Sequence, residues 1–112
     1  MLVITDIKGK TNVKSLEDAV CFAVLRLLPK RRKNLFIDID LCLLDKWGYC
    51  NEIDDNNYLI EIRKTLTFDS VLSTLFHEMV HVKQMIHKEE INEDEAYELG
   101  DKLFKEFKNV QP

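Results

Sequence analysis

The segment from Thr74 to Gln84 reads TLFHEMVHVKQ. It holds two of the chain's three histidines, His77 and His81, with Glu78 directly after the first. Residues four apart on an α-helix lie one turn apart on the same face. His77 and His81 can therefore aim two imidazole nitrogens at one point. Zinc accepts imidazole nitrogen at about 2.0–2.1 Å and prefers four tetrahedral ligands. Glu78, rotated by one residue, cannot easily share that shell. It can reach a water beside the ion and accept its proton as the water attacks a carbonyl. The spacing thus predicts His77 and His81 as ligands of one zinc ion and Glu78 as catalytic base. The rest of this helix is almost all apolar, and burying two imidazoles and a carboxylate without a role is costly. The alternative is a solvated polar face shared with Lys83, Gln84 and Lys88.

A third ligand is needed. His77, His81 and His87 match the His-Glu-x-x-His-x-x-Gly-x-x-His spacing of metzincins, but Gln84 stands in the glycine position. In an unbroken helix six residues turn through about 600°, which leaves His87 about 120° off the face of His81. Gln84 does not readily take the backbone geometry that glycine allows, so His87 is read as a surface histidine near the helix end. The remaining candidates are the carboxylates of INEDEAYELG on the next helix. Glu93 stands at its very start, Glu95 lies slightly deeper, and Glu98 lies behind them. Two histidines and one carboxylate leave a fourth position open, as a catalytic zinc requires. Acidic residues also favour helix N-termini for electrostatic reasons alone.

The run Asn92-Glu93-Asp94-Glu95-Ala96-Tyr97 resembles the second motif of gluzincins, Asn-Glu-x-x-x-Asp in thermolysin-like enzymes and Glu-x-Glu-Ala-Asp in minimal members. The resemblance implies Glu93 as the third ligand and matches Ala96 to the family alanine. Tyr97 stands where the family carries an aspartate that supports a ligand histidine. Residues 48–84, GYCNEIDDNNYLIEIRKTLTFDSVLSTLFHEMVHVKQ, are similar to the small SprT-like or minimal-gluzincin metallopeptidases of phage and environmental virus genomes. That similarity implies a zincin-like fold, a peptide or protein substrate and peptide-bond hydrolysis. The SprT-like zinc ribbon is absent, because the chain has no Cys-x-x-Cys pair. An oxyanion donor is also required, and Tyr97, Tyr49 and Tyr58 are the candidates. A reading of another class makes the zinc a structural tie between two helices in a protein-interaction module without turnover.

The elements that must position these residues follow from periodicity. LVITDI (2–7) is a β-branched strand, and apolar positions from Val13 to Leu27 recur at helical spacing until Pro29 closes the helix. NLFIDID (34–40) alternates as a half-buried strand. KWGYCNEI and NYLIEIRK are two further strands joined at Asp54-Asp55-Asn56-Asn57. Tyr58 or Leu59 joins Ile60 and Ile62 on the inner face of the last strand, whose Tyr58–Arg63 edge is a candidate for substrate strand addition. The zinc helix begins at Thr67 or Asp69 and, with apolar residues nearly encircling it, should be the most buried. Asn92, with Glu95 three residues on, starts the last helix, which runs to about Lys108. The order β-α-β-β-β-α-α predicts an α+β fold. A mixed or antiparallel sheet of three to four strands would carry the N-terminal helix, the zinc helix and the C-terminal glutamate-bearing helix.

With 112 residues the chain is read as one domain over 1–112. Its net charge of −4 argues against nucleic acid as the main partner. The basic run Lys30 to Lys33 follows Leu28-Pro29 and is read as a solvated turn at a helix end. No apolar run approaches a membrane span and the N-terminus lacks a signal-peptide pattern. Cys21 and Cys42 sit in apolar runs and are expected to be buried, with Cys50 the most exposed. An odd, unpatterned cysteine set fits a reducing, intracellular compartment, including that of an infected host cell.

Overall fold

A computed structural model describes residues 2–9 and 12–110. The elements are β1 (Val3–Lys8), α1 (Val13–Leu27), β2 (Leu35–Cys42), β3 (Gly48–Asp54), β4 (Asn57–Arg63), α2 (Phe68–Ile86) and α3 (Glu93–Val110). This is an α+β fold with one four-stranded mixed sheet and three helices.

The sheet order is β1-β2-β4-β3. β1, β2 and β4 run parallel, and β3 returns antiparallel beside β4. The β3–β4 hairpin turns at Asp55-Asn56, where Asp54 Oδ1 accepts from the Asn56 N–H (2.9 Å) and from Asn57 Nδ2 (2.7 Å). β4 therefore lies inside the sheet and is not an edge, against expectation, because β2 pairs with its second side. The edge nearest α2 is β3. Strand alternation sends Leu35, Ile37 and Ile39 of β2, and Tyr58, Ile60 and Ile62 of β4, into the core, while the alternate positions are less buried.

α2 is the central helix, packing on β3, β4, α1 and α3. Its start is fixed by Thr67, whose side chain accepts from the Ser70 N–H at 3.2 Å. It ends in a Schellman turn: the Lys88 N–H bonds Met85 O (3.1 Å) and the Glu89 N–H bonds Gln84 O (2.9 Å). Lys88 sits there at φ 56, a left-handed conformation that costs a non-glycine residue about 1 kcal/mol. The chain thus reverses after His87, four residues beyond the glycine position of the metzincin spacing. Among the described residues no helix is long and apolar enough to cross a membrane.

Phe22 of α1, Phe76 of α2 and Phe107 of α3 meet edge to face, with Phe107 5.4 Å and 5.5 Å from the other two rings. These contacts tie the three helices together by apolar packing. The basic run is a turn, in which Arg31 folds back to donate to Lys33 O (3.1 Å), Asn34 O (3.1 Å) and Asn56 Oδ1 (2.8 Å). The cysteines reverse the expectation: Cys21 is exposed, Cys42 intermediate and Cys50 buried. Cys21 lies off the α1 stripe made by Leu16, Ala19, Val20, Ala23, Val24 and Leu27. Cys50 pairs across β3–β4 with inward-facing Ile60 and so shares its direction into the core.

Candidate metal centre

His77 and His81 lie on one face of α2, their rings 4.9 Å apart between centroids. The reversal after Lys88 brings the first residue of α3, Glu93, back over them. Glu93 Oε1 stands 3.0 Å from His77 Nε2 and 2.9 Å from His81 Nε2. These three side chains form a group that could hold a metal.

Gln84 decides how that contact is to be understood. It is fully buried at 0% exposure, on the same helix face one turn beyond His81. Its Nε2 donates to Asn92 O (3.0 Å) and to Glu95 Oε1 (2.8 Å), which fixes the orientation of the amide. Its Oε1 therefore faces His81 Nδ1 at 2.8 Å and also accepts the Asn92 N–H at 3.2 Å. An amide oxygen only accepts, so Nδ1 of His81 carries a hydrogen, and a neutral ring then presents a bare lone pair at Nε2. The His81 lone pair and the Glu93 carboxylate oxygen repel each other unless a proton or a cation lies between them. Burial is the main cause holding the His77 imidazole below the ordinary histidine range, with the Glu93 contact pulling the other way. For Glu93 itself burial raises the pKa, but the His81 and His77 contacts outweigh it and keep the carboxyl below the usual range. A carboxylate and two imidazole nitrogens aimed at one another are a donor set that a zinc ion fits.

Glu95 does not join the group. Its carboxylate accepts from Lys83 Nζ at 3.0 and 3.1 Å and from Gln84 at 2.8 Å. One residue of α3 turns the side chain through about 100°, so Glu93 and Glu95 leave the helix in different directions. Glu95 buttresses the glutamine that orients His81. Asn92 caps α3 through Oδ1, which accepts the Glu95 N–H at 3.0 Å. His87 lies outside the group, exposed and 3.5 Å from Glu89.

Glu78 is 6% exposed and lines a cleft of about 910 Å³ together with His77 and Glu93. Burial above all, with a contribution from the Glu93 carboxylate, pushes its pKa up to about 7, against the pull of His81 and Lys46. No hydrogen bond from a described residue is among the causes of that shift. Two glycines permit this arrangement. A Cβ on Gly48 would stand 2.5 Å from Thr74 Cγ2 and 3.0 Å from Glu78 Oε2. A Cβ on Gly100 would stand 3.0 Å from His77 Cα, so a side chain there would push α3 and α2 apart by a few tenths of an ångström.

Of the three tyrosines considered as oxyanion donors, Tyr97 lines the cleft and sets its ring edge-on to His77 at 4.5 Å between centroids. Its phenol end is open to solvent, the residue being 68% exposed. Tyr58 is buried with its hydroxyl near Asp55 O at 3.5 Å, and Tyr49 pairs with Glu61 on the opposite face of the sheet. Gln84 was missed as a functional residue, as were Gly48 and Gly100. A signal for Gln84 existed, since it is a polar residue three positions after a ligand histidine on a greasy helix. The glycines gave none, because each acts through a neighbour distant in sequence. No family model, curated protein or solved structure matches the chain.

Proposed function

We propose that the protein is a zinc-dependent peptidase of the zincin type, related to the small SprT-like and minimal-gluzincin enzymes. The observation that carries this reading is the convergence of His77 Nε2, His81 Nε2 and Glu93 Oε1 beside a cleft that also exposes Glu78. His77, His81 and Glu93 would hold the zinc ion, which would supply Lewis-acid chemistry for a peptide carbonyl and a bound water. Glu78, poised near neutrality, takes the proton of the attacking water on its carboxylate and passes it to the leaving amine nitrogen. Gln84 holds His81 in the tautomer that leaves Nε2 unprotonated. Tyr97 is the nearest phenol to donate to the developing oxyanion. β3, the edge strand whose Gly48 lines the cleft, is the strand along which an extended peptide would pair. The free cysteines suit the reducing compartment proposed for it.

The purified protein should contain zinc, and Glu78→Gln should lower peptide hydrolysis by about 10³-fold while zinc stays bound. A zinc-bound Glu78→Gln protein as active as wild type sinks the mechanism. The competing reading, a structural zinc tie, is favoured by one observation: the ligands come from two helices, α2 and α3. Against it, Ala96, Leu103 and Phe107 of α3 are already buried independently of any ion. A chelator should therefore leave the peptidase folded and inactive, whereas it should unfold a structural module.

A further inference from the structure

The cleft beside the histidines has two chemically different walls. On the sheet side stand Lys46, Trp47 and Gly48; on the α3 side stand Tyr97, Glu98 and Asp101. Glu93, Tyr97 and Asp101 fall at four-residue intervals and so form one ladder along α3, with Glu98 beside it. Helical rise puts Glu98 about 7 Å and Asp101 about 12 Å along the axis from Glu93. An extended peptide advances about 3.3–3.6 Å per residue, so a peptide lying along this wall would bring residues two to four places from the scissile bond level with these carboxylates. Resting on the peptidase reading, we propose that the cleft selects peptides carrying a lysine or arginine on that side of the scissile bond. The cationic end would be held by Glu98 and Asp101, and its stem would lie against Trp47 and Tyr97.

Four observations support this assignment. Glu98 has no ion-pair partner among the described residues, and Asp101 has only Lys105, one turn along the same helix at 2.9 Å. That pair is solvent-exposed, 72% at Lys105 and 56% at Asp101, so it competes weakly with an incoming cation. Trp47 and Tyr97 are large rings left exposed on the cleft walls, where a tryptophan or tyrosine face attracts a guanidinium or ammonium. Lys46 opposes them from the sheet side, but its ammonium is drawn 4.5 Å over the Tyr49 ring. The floor of the same cleft carries Glu78, more than nine-tenths buried and open to an incoming group.

Binding and cleavage test it separately. Zinc-loaded Glu78→Gln protein is titrated with two fluorescein-labelled peptides that differ only in carrying lysines or glutamates, and anisotropy is read at low salt. The lysine peptide should bind about tenfold tighter, the combined effect of a partly exposed ion pair and a cation–π contact. In the same protein carrying Glu98→Lys and Asp101→Lys the preference should vanish or invert. Equal binding of the two peptides, or a preference that survives the charge reversal, overturns the assignment. Wild-type protein that hydrolyses both peptides equally also overturns it while leaving the peptidase reading intact. A charge-reversible binding preference with no hydrolysis of either peptide supports the cleft assignment and counts against turnover.

Discussion

Among the described residues two regions bring three metal-capable side chains together, and they differ in almost every other respect. One is His77, His81 and Glu93 at the α2–α3 seam; the other is Asp40, Cys42 and Glu61 on β2 and β4. At the seam a buried glutamine orients one ring, and a carboxyl near neutrality lines the adjoining cleft. On the strands, burial first and then the Asp40 and Glu61 carboxylates push the Cys42 thiol above its ordinary range. Cys42 Sγ donates to Glu61 Oε2 at 3.7 Å, and no buried amide or histidine orients this group. Proximity of donors is therefore a weak criterion. The side chains behind the donors and the cleft beside them separate the two groups.

The largest effect that could break this contrast lies in turnover. Glu78→Gln should lower hydrolysis of a peptide substrate by about 10³-fold, in the range seen for loss of a general base, with zinc content unchanged. The same substitution should act on stability in the opposite sense. In chelator-treated protein the Glu78 pKa of about 7 lies above its unfolded value, so the native state holds the extra proton between roughly pH 4.5 and 7. Stability then falls as pH rises through that window. Urea melts should find Glu78→Gln more stable than wild type by about 2–3 kcal/mol at pH 8, with the difference gone below pH 4. No gain at pH 8 would mean that the carboxyl is better solvated than its burial implies.

Smaller effects sharpen the comparison. Gln84→Leu preserves bulk but removes the acceptor behind His81, and zinc affinity by chelator competition should drop about 10–100-fold. An unchanged affinity would show that His81 is oriented without it. At the strand group, Cys42→Ser with Glu61→Gln should leave zinc content and affinity as in wild type, and a loss of bound zinc there would erase the distinction between the regions.

Much of the seam was legible in the sequence because its information is local. Four-residue spacing alone puts His77 and His81 on one face, and apolar periodicity makes α2 central. The choice between Glu93 and Glu95 was not legible from spacing, since both lie on the first turn of α3. It depends on where the Lys88 turn aims the helix and on Lys83 and Gln84 drawing Glu95 aside. Sheet order was hidden for a related reason. That β2 pairs with β4 is a non-local fact, so Tyr58–Arg63 resembles an edge as easily as an interior strand. Cys50 shows the same limit, because the register opposite Ile60, not its polar neighbours, turns it inward.

Zinc affinity of Glu93→Ala beside Glu95→Ala, each measured by chelator competition against wild type, tests the central claim most directly. Binding of zinc by wild type, its loss in Glu93→Ala and its retention within about tenfold in Glu95→Ala are the predicted results, since removing a ligand costs more than disturbing the groups behind it. Zinc retained by Glu93→Ala and lost by Glu95→Ala, or no zinc bound by wild type, would contradict the account.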